Sequence, residues 1–324
     1  MRVTVLIPSY RRHQDLARCL AALRVQTRAP DSVLVVLRTD DEASRALVNE
    51  IASAWHSLEV VSVHRSGVVA AMNAGLAVAE GDVLALTDDD AEPHIDWLAR
   101  LVAIFESEPG VGGAGGRDDQ QTAHGAKRTV GRLQWFGRVI GNHHVGVGPA
   151  RDVDVLKGVN CAFRLALVRT HGFDERLRGA GAQVHWELSL CLALRRDGWR
   201  LIYDPAIRVR HHAGIRHDDD QLHRGRFSER PHENAVFNET LIIAENLRGV
   251  RRRAFYVWAT AIGTAESPGL LQLPRMLVRE GRVALVRWAT TQRARRAGIA
   301  EAKRQPTCSG SVRSSVPPSI SASR

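Results

Sequence analysis

GDVLALTDDDAEP, residues 81–93, holds a short apolar run, Val83 to Leu86, that ends abruptly in Asp88, Asp89 and Asp90. Alternate acids beyond the end of a buried strand can place two carboxylates on one divalent cation. Mg²⁺ and Mn²⁺ favour such hard oxygen donors together with substrate phosphates. The competing reading is a solvated acidic turn ahead of a helix beginning near Ile95.

What precedes the acids decides between the two. Val3 to Ile7 is a continuous apolar, mostly β-branched run closed by Pro8, Ser9 and Tyr10, the pattern of a strand buried on both faces. Leu16, Leu20 and Leu23 recur at helical spacing over residues 13–23. Ser32 to Leu37 repeats the strand pattern, and residues 43–55 the helical one. Leu58 to Val63 reads as a third strand and Val68 to Ala79 as a third helix before the strand Val83 to Leu86. Strands and helices alternating at this spacing predict βαβ units and a parallel sheet. Ligands of such sheets bind beyond the C-terminal strand ends. Three of these ends carry polar residues suited to a nucleotide: Pro8 to Arg12, Arg38 to Asp41, and Asp88 to Asp90. No GxGxxG or GxxxxGK[ST] motif is present, which excludes a dinucleotide fingerprint and a P-loop.

After the acids, residues 95–105 read as a helix. The run GVGGAGG at 110–116 is compatible with tight packing, a close ligand approach or a flexible turn. Residues 117–150 read as a long irregular loop, either an acceptor-side flap or an insertion. VDVLKGVNCAFR, 153–164, reads as a strand with a Gly-Val-Asn step, residues 186–196 as a helix, and residues 201–209 as a last strand-like segment before His211 and His212. The charged, His-rich stretch 217–233 reads as a solvated loop in preference to a second metal site, and a helix resumes at Asn234.

Charge is unevenly placed. The chain of 324 residues has a formal net charge of +10; from Arg248 onward there are 15 Lys and Arg against three Glu, leaving the remainder near −2. The basicity therefore belongs to a C-terminal appendage and not to the region of the acids, and it lacks the interleaved aromatics of a nucleic-acid surface. Arg275, Arg279, Arg282 and Arg293 are expected on one helical stripe opposite Leu273, Leu277, Ala284 and Trp288. That arrangement suits either an anionic membrane surface or solvated arginines on a core-packed helix. Four Cys without metal-ligand spacing read as thiols of a reducing compartment. The N-terminal apolar run is too short for a signal peptide, and AFYVWATAIGTA is shorter than the roughly 18 residues of a spanning helix. The expected location is cytoplasmic, with peripheral attachment to the inner face of the cell membrane.

The order of motifs carries a resemblance. VTVLIPSYRR, GDVLALTDDDAEPHIDWL, VLKGVNCAFR, GFDE at 172–175, WELSLCLALRRDGWRLIYDP at 186–205 and His211 together resemble a family 2 glycosyltransferase of the GT-A fold over residues 1–215. The resemblance implies an α/β, Rossmann-like, mostly parallel sheet flanked by helices, with a basic helical C-terminal region. It divides the chain into a domain at 1–247 (a nucleotide-binding half, 1–110, and an acceptor half, 111–247), helices at 248–304 and a disordered tail at 305–324. It also implies inverting transfer of a sugar from a nucleotide-diphosphate donor to a glycan or lipid-linked hydroxyl, with Mg²⁺ or Mn²⁺ as cofactor.

By the same resemblance, Asp88, Asp90 and His211 (or His212 in its place) would hold the metal, and Glu187 would be the general base. Donor contacts would come from Pro8, Ser9, Tyr10, Arg12, Arg38, Asp40, Asn73, Asp88, Asp89, Gly158 and Asn160. Two departures stand out. Relatives carry Asp-Asp-Gly-Ser where this chain has Arg38 to Asp41, and a second acid where it has Leu188, so that Glu187 would serve alone or be assisted by Asp174 or Asp204. A nucleotidyltransferase would need a Gly-rich, Lys-containing loop after the first strand, which is missing. A non-catalytic sugar-nucleotide-binding or scaffold protein is the remaining alternative.

Overall fold

The computed structural model describes residues 1–120, 125–212 and 227–304. The first part alternates as its apolar runs dictate: β1 (Val3–Ser9), α1 (His13–Arg24), β2 (Ser32–Arg38), α2 (Glu42–Ala52), β3 (Leu58–Val63), α3 (Val68–Val78) and β4 (Val83–Leu86). These four strands are parallel, in the order β3-β2-β1-β4. Their side chains divide with period two. Leu6, Leu34, Val36 and Leu84 join α3 in one core, while Val5, Val33, Val35 and Val83 meet α1 on the other face. Both sheet faces are therefore covered, which is why the strands are apolar throughout.

The second part comprises β5 (Ala91–Pro93), α4 (Trp97–Ser107), β6 (Val111–Gln120), the small hairpin β7 (Arg132–Leu133) and β8 (Val139–Ile140), β9 (Arg151–Asp152), β10 (Cys161–Arg164), α5 (Leu165–His171), α6 (Trp186–Arg196) and β11 (Arg200–His211). β10 lies antiparallel between β4 and β6, and β11 runs parallel to β6, so six of the nine strands point one way.

Several boundaries differ from the sequence reading. The glycine run at 110–116 is neither a turn nor a flexible link: it is most of β6, a central strand. Glycine has poor strand propensity, and here the neighbours require it. A Cβ on Gly113 would come 2.6 Å from Phe163 Cδ1, and one on Gly116 would strike the carbonyl of Ile207. The irregular stretch at 117–150 begins with the end of this strand. Only residues 161–164 of 153–164 form a strand, and β11 continues through Asp204-Pro205 by way of a bulge between Asp204 and Arg208. Asn160, fully buried, braces that irregularity: Nδ2 donates to the carbonyls of Arg117 and Ile207, and Oδ1 accepts from Trp97 Nε1 at 2.8 Å.

The C-terminal helices are α7 (Glu229–Asn246), α8 (Gly249–Ala261), α9 (Leu273–Glu280) and α10 (Arg282–Arg304). α10 returns along α7 and buries Ala294 with Phe237 and Leu241. The expected single arginine stripe does not form, because Gly281, at φ +58°, separates α9 from α10. Arg293 instead pairs with Glu229 (2.8 Å) and Glu233 (3.2 Å) on α7, and Leu277 is exposed while Ala284 is buried. Among the described residues no helix is long and apolar enough to cross a membrane. The expected tail, 305–324, and most of the His- and Asp-rich stretch 217–233 lie outside the described residues; within the latter, α7 already begins at Glu229.

Candidate active site

The C-terminal ends of β1, β2 and β4 open into a cleft of about 720 Å³, a volume suited to a nucleotide-sized ligand. Pro8, Ser9, Tyr10, Arg12, Arg38, Asp88, Asp89, Gly158, Glu187 and His211 all line it. Residues from positions 8 to 211 thus converge because each lies at a strand end or at the first turn of α6.

On the floor, Asp88, Asp90 and His211 each offer a donor atom within 4.8 Å of the others. The two carboxylates suit Mn²⁺ or Mg²⁺, and the imidazole would join them by giving up its Nε2 proton to the cation. His211 is oriented from behind. Its Nδ1 lies 3.0 Å from Asp118 Oδ1, and its Nε2 faces Asp90 Oδ1 at 3.2 Å. Burial alone would lower the imidazole pKa, but the hydrogen bonds and charges of Asp118 and Asp90 push it up to about 10. Burial pushes the Asp118 carboxyl up, yet His211 and Gln120 hold it below its usual range. Asp118 escaped the sequence reading because it follows the glycine run; the signal lay in Asp118-Asp119 closing what is a central strand. His212 does not take the role of His211: its Nε2 lies 2.8 Å from Glu92.

Asp89 is buried, accepting from Ser9 Oγ at 2.7 Å and from Arg12. Arg12 also reaches Asp90 Oδ2 at 2.6 Å. Burial pushes the Asp89 carboxyl up to about 7; Arg12 counters it, while Asp90 adds to it. Arg12 therefore ties the β1 end to the acids, and Ser9 acts first as a support for Asp89.

At the rim, Tyr10 lies between two guanidinium groups, Arg38 at 4.6 Å and Arg11 at 5.0 Å from the ring centre. Its hydroxyl donates to Asp40 at 3.1 Å, and Asp40 pairs with Arg38 at 3.0 Å. The unusual Arg38–Asp41 turn thus forms one unit with Tyr10. Asp41, buried, caps α2 by accepting from Ser44 N and also holds Arg11 N.

Glu187 sits in the first turn of α6 and faces the cleft. Its approach is strained: Gln183 and His185 have φ of +37° and +76°. Asn238, fully buried on α7, clamps this segment. Its Nδ2 donates to the carbonyls of Arg178 (2.9 Å) and Val184 (3.0 Å), and its Oδ1 accepts from Arg178 N (2.7 Å). Asn238 carries no signal in its sequence context, where it looks like any polar residue of an exposed helix. Gly158 lies under Trp186, where a Cβ would meet the ring at 2.6 Å.

Three predicted donor contacts do not line the cleft: Asp40 stays with Tyr10 and Arg38 at the rim. Asn73 joins α3 to the 172–173 turn through both backbone groups of Phe173, and Asn160 is the sheet brace described above. Leu188 is core. Asp174 is held by Arg176 at 2.7 Å and Asp204 by Ala206 N at 2.9 Å, and neither lines the cleft with Glu187. Lys157 and Arg65 do line it, adding two cations that sequence reasoning had not singled out.

Residues 4–152 match the sequence profile of Glycosyl transferase family 2. The match spans just under half of the chain. It is 32% identical over 187 residues to Glycosyltransferase AglE of Haloferax volcanii, an alignment covering 57% of this chain and 59% of that protein. Glucosyl-dolichyl phosphate glucuronosyltransferase of the same organism is 24% identical over 223 residues, covering 65% of this chain and 69% of that protein. Among solved structures, the mannosyltransferase PcManGT from Pyrobaculum calidifontis, in complex with GDP-Man and Mn²⁺, superposes with a TM-score of 0.57 at 20% identity. That match covers 94% of this chain and 86% of PcManGT. The fold is thus GT-A, a mostly parallel mixed sheet flanked by helices.

Proposed function

We propose that this chain is a family 2, divalent-cation-dependent, inverting glycosyltransferase. It would move one sugar from a nucleoside-diphosphate donor to a hydroxyl of a glycan or lipid-linked acceptor, in the synthesis of a cell-surface polysaccharide or glycolipid. The observation that carries this reading is the single cleft in which Asp88 and His211 meet Glu187. The names of the relatives and the GDP-Man and Mn²⁺ bound by PcManGT support it.

Pro8, Ser9 and Tyr10 would flank the base, with the Arg38–Asp40 unit beside them. Arg12, Lys157 and Arg65 supply positive charge for the diphosphate. A cation held by Asp88, Asp90 and His211 would stabilise the charge that develops on the leaving diphosphate. Glu187 accepts the proton of the acceptor hydroxyl as that oxygen bonds to the anomeric carbon and the bond from that carbon to the diphosphate oxygen breaks. A single displacement of this kind inverts the anomeric centre.

The test is a screen of UDP- and GDP-sugars with Mn²⁺, Mg²⁺ or EDTA, scoring release of nucleoside diphosphate. Metal-dependent release is expected. Full activity in EDTA would remove the cation from the mechanism. Glu187→Gln should retain donor binding and lose transfer by about 10²–10⁴-fold. A wild-type chain that binds donors and turns none of them over would instead be a sugar-nucleotide-binding protein.

A further inference from the structure

Half of the exposed large apolar side chains among the described residues, seven of fourteen, fall within residues 270–286. The segment runs from the short 3-10 turn at Leu270–Gln272 through α9 and the Gly281 break into the first turn of α10. Leu270, Leu271, Leu277, Val278, Val283 and Val286 are exposed, Leu271 at 71% and Val278 at 89%. Single exposed aliphatics need no explanation, but a cluster on consecutive turns marks an interaction surface.

Charge selects the partner. Arg275, Arg279 and Arg282 are interspersed with these aliphatics, and among the described residues none of the three forms an ion pair with a carboxylate. The one acid of the stretch, Glu280, lies 3.2 Å from Arg287. An aliphatic face studded with arginines suits the boundary between acyl chains and anionic headgroups. A second copy docked face to face would set these arginines against one another. The terminal residues 305–324 contain no acid to meet them.

The position matters as much as the composition. The loop at 262–269 carries Glu266 into the lining of the cleft. It is fixed by buried Arg295, which donates to Ala259 O and, at 2.7 Å, to Ser267 O, and by Gln292 Nε2 donating to Pro268 O at 3.2 Å. From Glu266 the chain reaches Leu270 in four residues, a span of at most about 14 Å.

We propose that residues 270–286 form a lipid-docking hairpin that seats the mouth of the cleft on an anionic membrane surface. The docking stands on the exposed hairpin itself. Its consequence rests on the transferase reading: the acceptor hydroxyl would be carried by a lipid and reach Glu187 from the plane of the membrane.

The full chain is mixed with phosphatidylcholine vesicles, or with vesicles containing about 30% phosphatidylglycerol, and sedimented. It should pellet with the anionic vesicles and remain in solution with the neutral ones. Leu271→Asp and Val278→Asp, both at highly exposed positions, should each weaken partitioning about tenfold or more. Arg275→Gln with Arg279→Gln should weaken it and flatten its salt dependence. Calorimetric binding of UDP or GDP should be unchanged in all of these variants. No pelleting with anionic vesicles, or pelleting unaffected by Val278→Asp, would overturn the proposal. So would a dimer in analytical ultracentrifugation that Val278→Asp disperses, since the patch would then belong to a second copy. Failure of the transferase reading is separately visible, as a chain that binds vesicles and nucleotide yet turns over no donor.

Discussion

Asp118 holds His211 by its far nitrogen: Oδ1 lies 3.0 Å from Nδ1, which leaves Nε2 directed at Asp90. A carboxylate behind a ligating imidazole fixes the ring and its tautomer and raises the basicity of the opposite nitrogen. Asp118→Asn should therefore raise the Mn²⁺ concentration needed for half-maximal activity by about 10–100-fold, with the fold intact. A Mn²⁺ titration of nucleoside-diphosphate release reads this directly, and an unchanged midpoint would assign Asp118 to packing alone.

Asn238→Ala removes the clamp on residues 178–184. The substitution strands the carbonyls of Arg178 and Val184 and the amide of Arg178 in a half-buried setting. The expected cost is about 2–3 kcal/mol, measured by urea denaturation. Because the same segment leads into Glu187, kcat should fall more than donor affinity.

Gly158→Ala drives a methyl group into the Trp186 ring. Overpacking of this kind costs about 1–3 kcal/mol. Trp186 adjoins Glu187, so the variant should lose transfer activity beyond its loss of stability. Intrinsic fluorescence should report the displaced indole.

Two buried histidines, His143 and His232, contribute stability that acid removes. Burial lowers the pKa of His143 to about 4, against the hydrogen bond between its Nε2 and Val155 O. Burial, with Arg287 and Arg295, does the same to His232. The hydroxyl of Thr291 already donates to Arg287 O, so His232 Nε2 must donate to Thr291. Both rings are neutral in the folded state. In the unfolded chain they titrate near 6.5, so between about 4 and 6.5 the unfolded state binds more protons. Stability is then complete above pH ~6.5 and falls as pH drops toward 4, by up to about 3 kcal/mol for His143. Asp89, raised to about 7, works the other way over the same range, so the check is a comparison of variants: between pH 7.5 and pH 5 the urea midpoint of His143→Gln should shift less toward instability than that of the parent chain.

The first four strands and three helices were legible because each strand is buried on both faces and each turn is polar. Motif order singled out Asp88, Glu187 and His211, and the structure brings the three to one cleft. β6 was not, because its glycines answer to Phe163, Leu201 and Ile207, residues that are distant in sequence. Asp118 was hidden with it. Asn73 and Asn160 read as ligand contacts because a polar residue near a strand end looks the same whether it faces a nucleotide or a backbone gap. The C-terminal helices misled by periodicity: a regular stripe presumes an unbroken helix, and Gly281 interrupts it.

The antiparallel insertion of β10 between β4 and β6 has a consequence for biosynthesis. Among the described residues β6 pairs with β10 and β11 alone, so residues 111–120 leave the ribosome some forty residues before either partner strand does. Until then β4 keeps an open edge beside the acidic turn, and the nascent chain exposes a template for unwanted strand addition. Completion of this edge waits on residues 161–164, and slowing synthesis just before them should lengthen the interval in which the chain depends on chaperones.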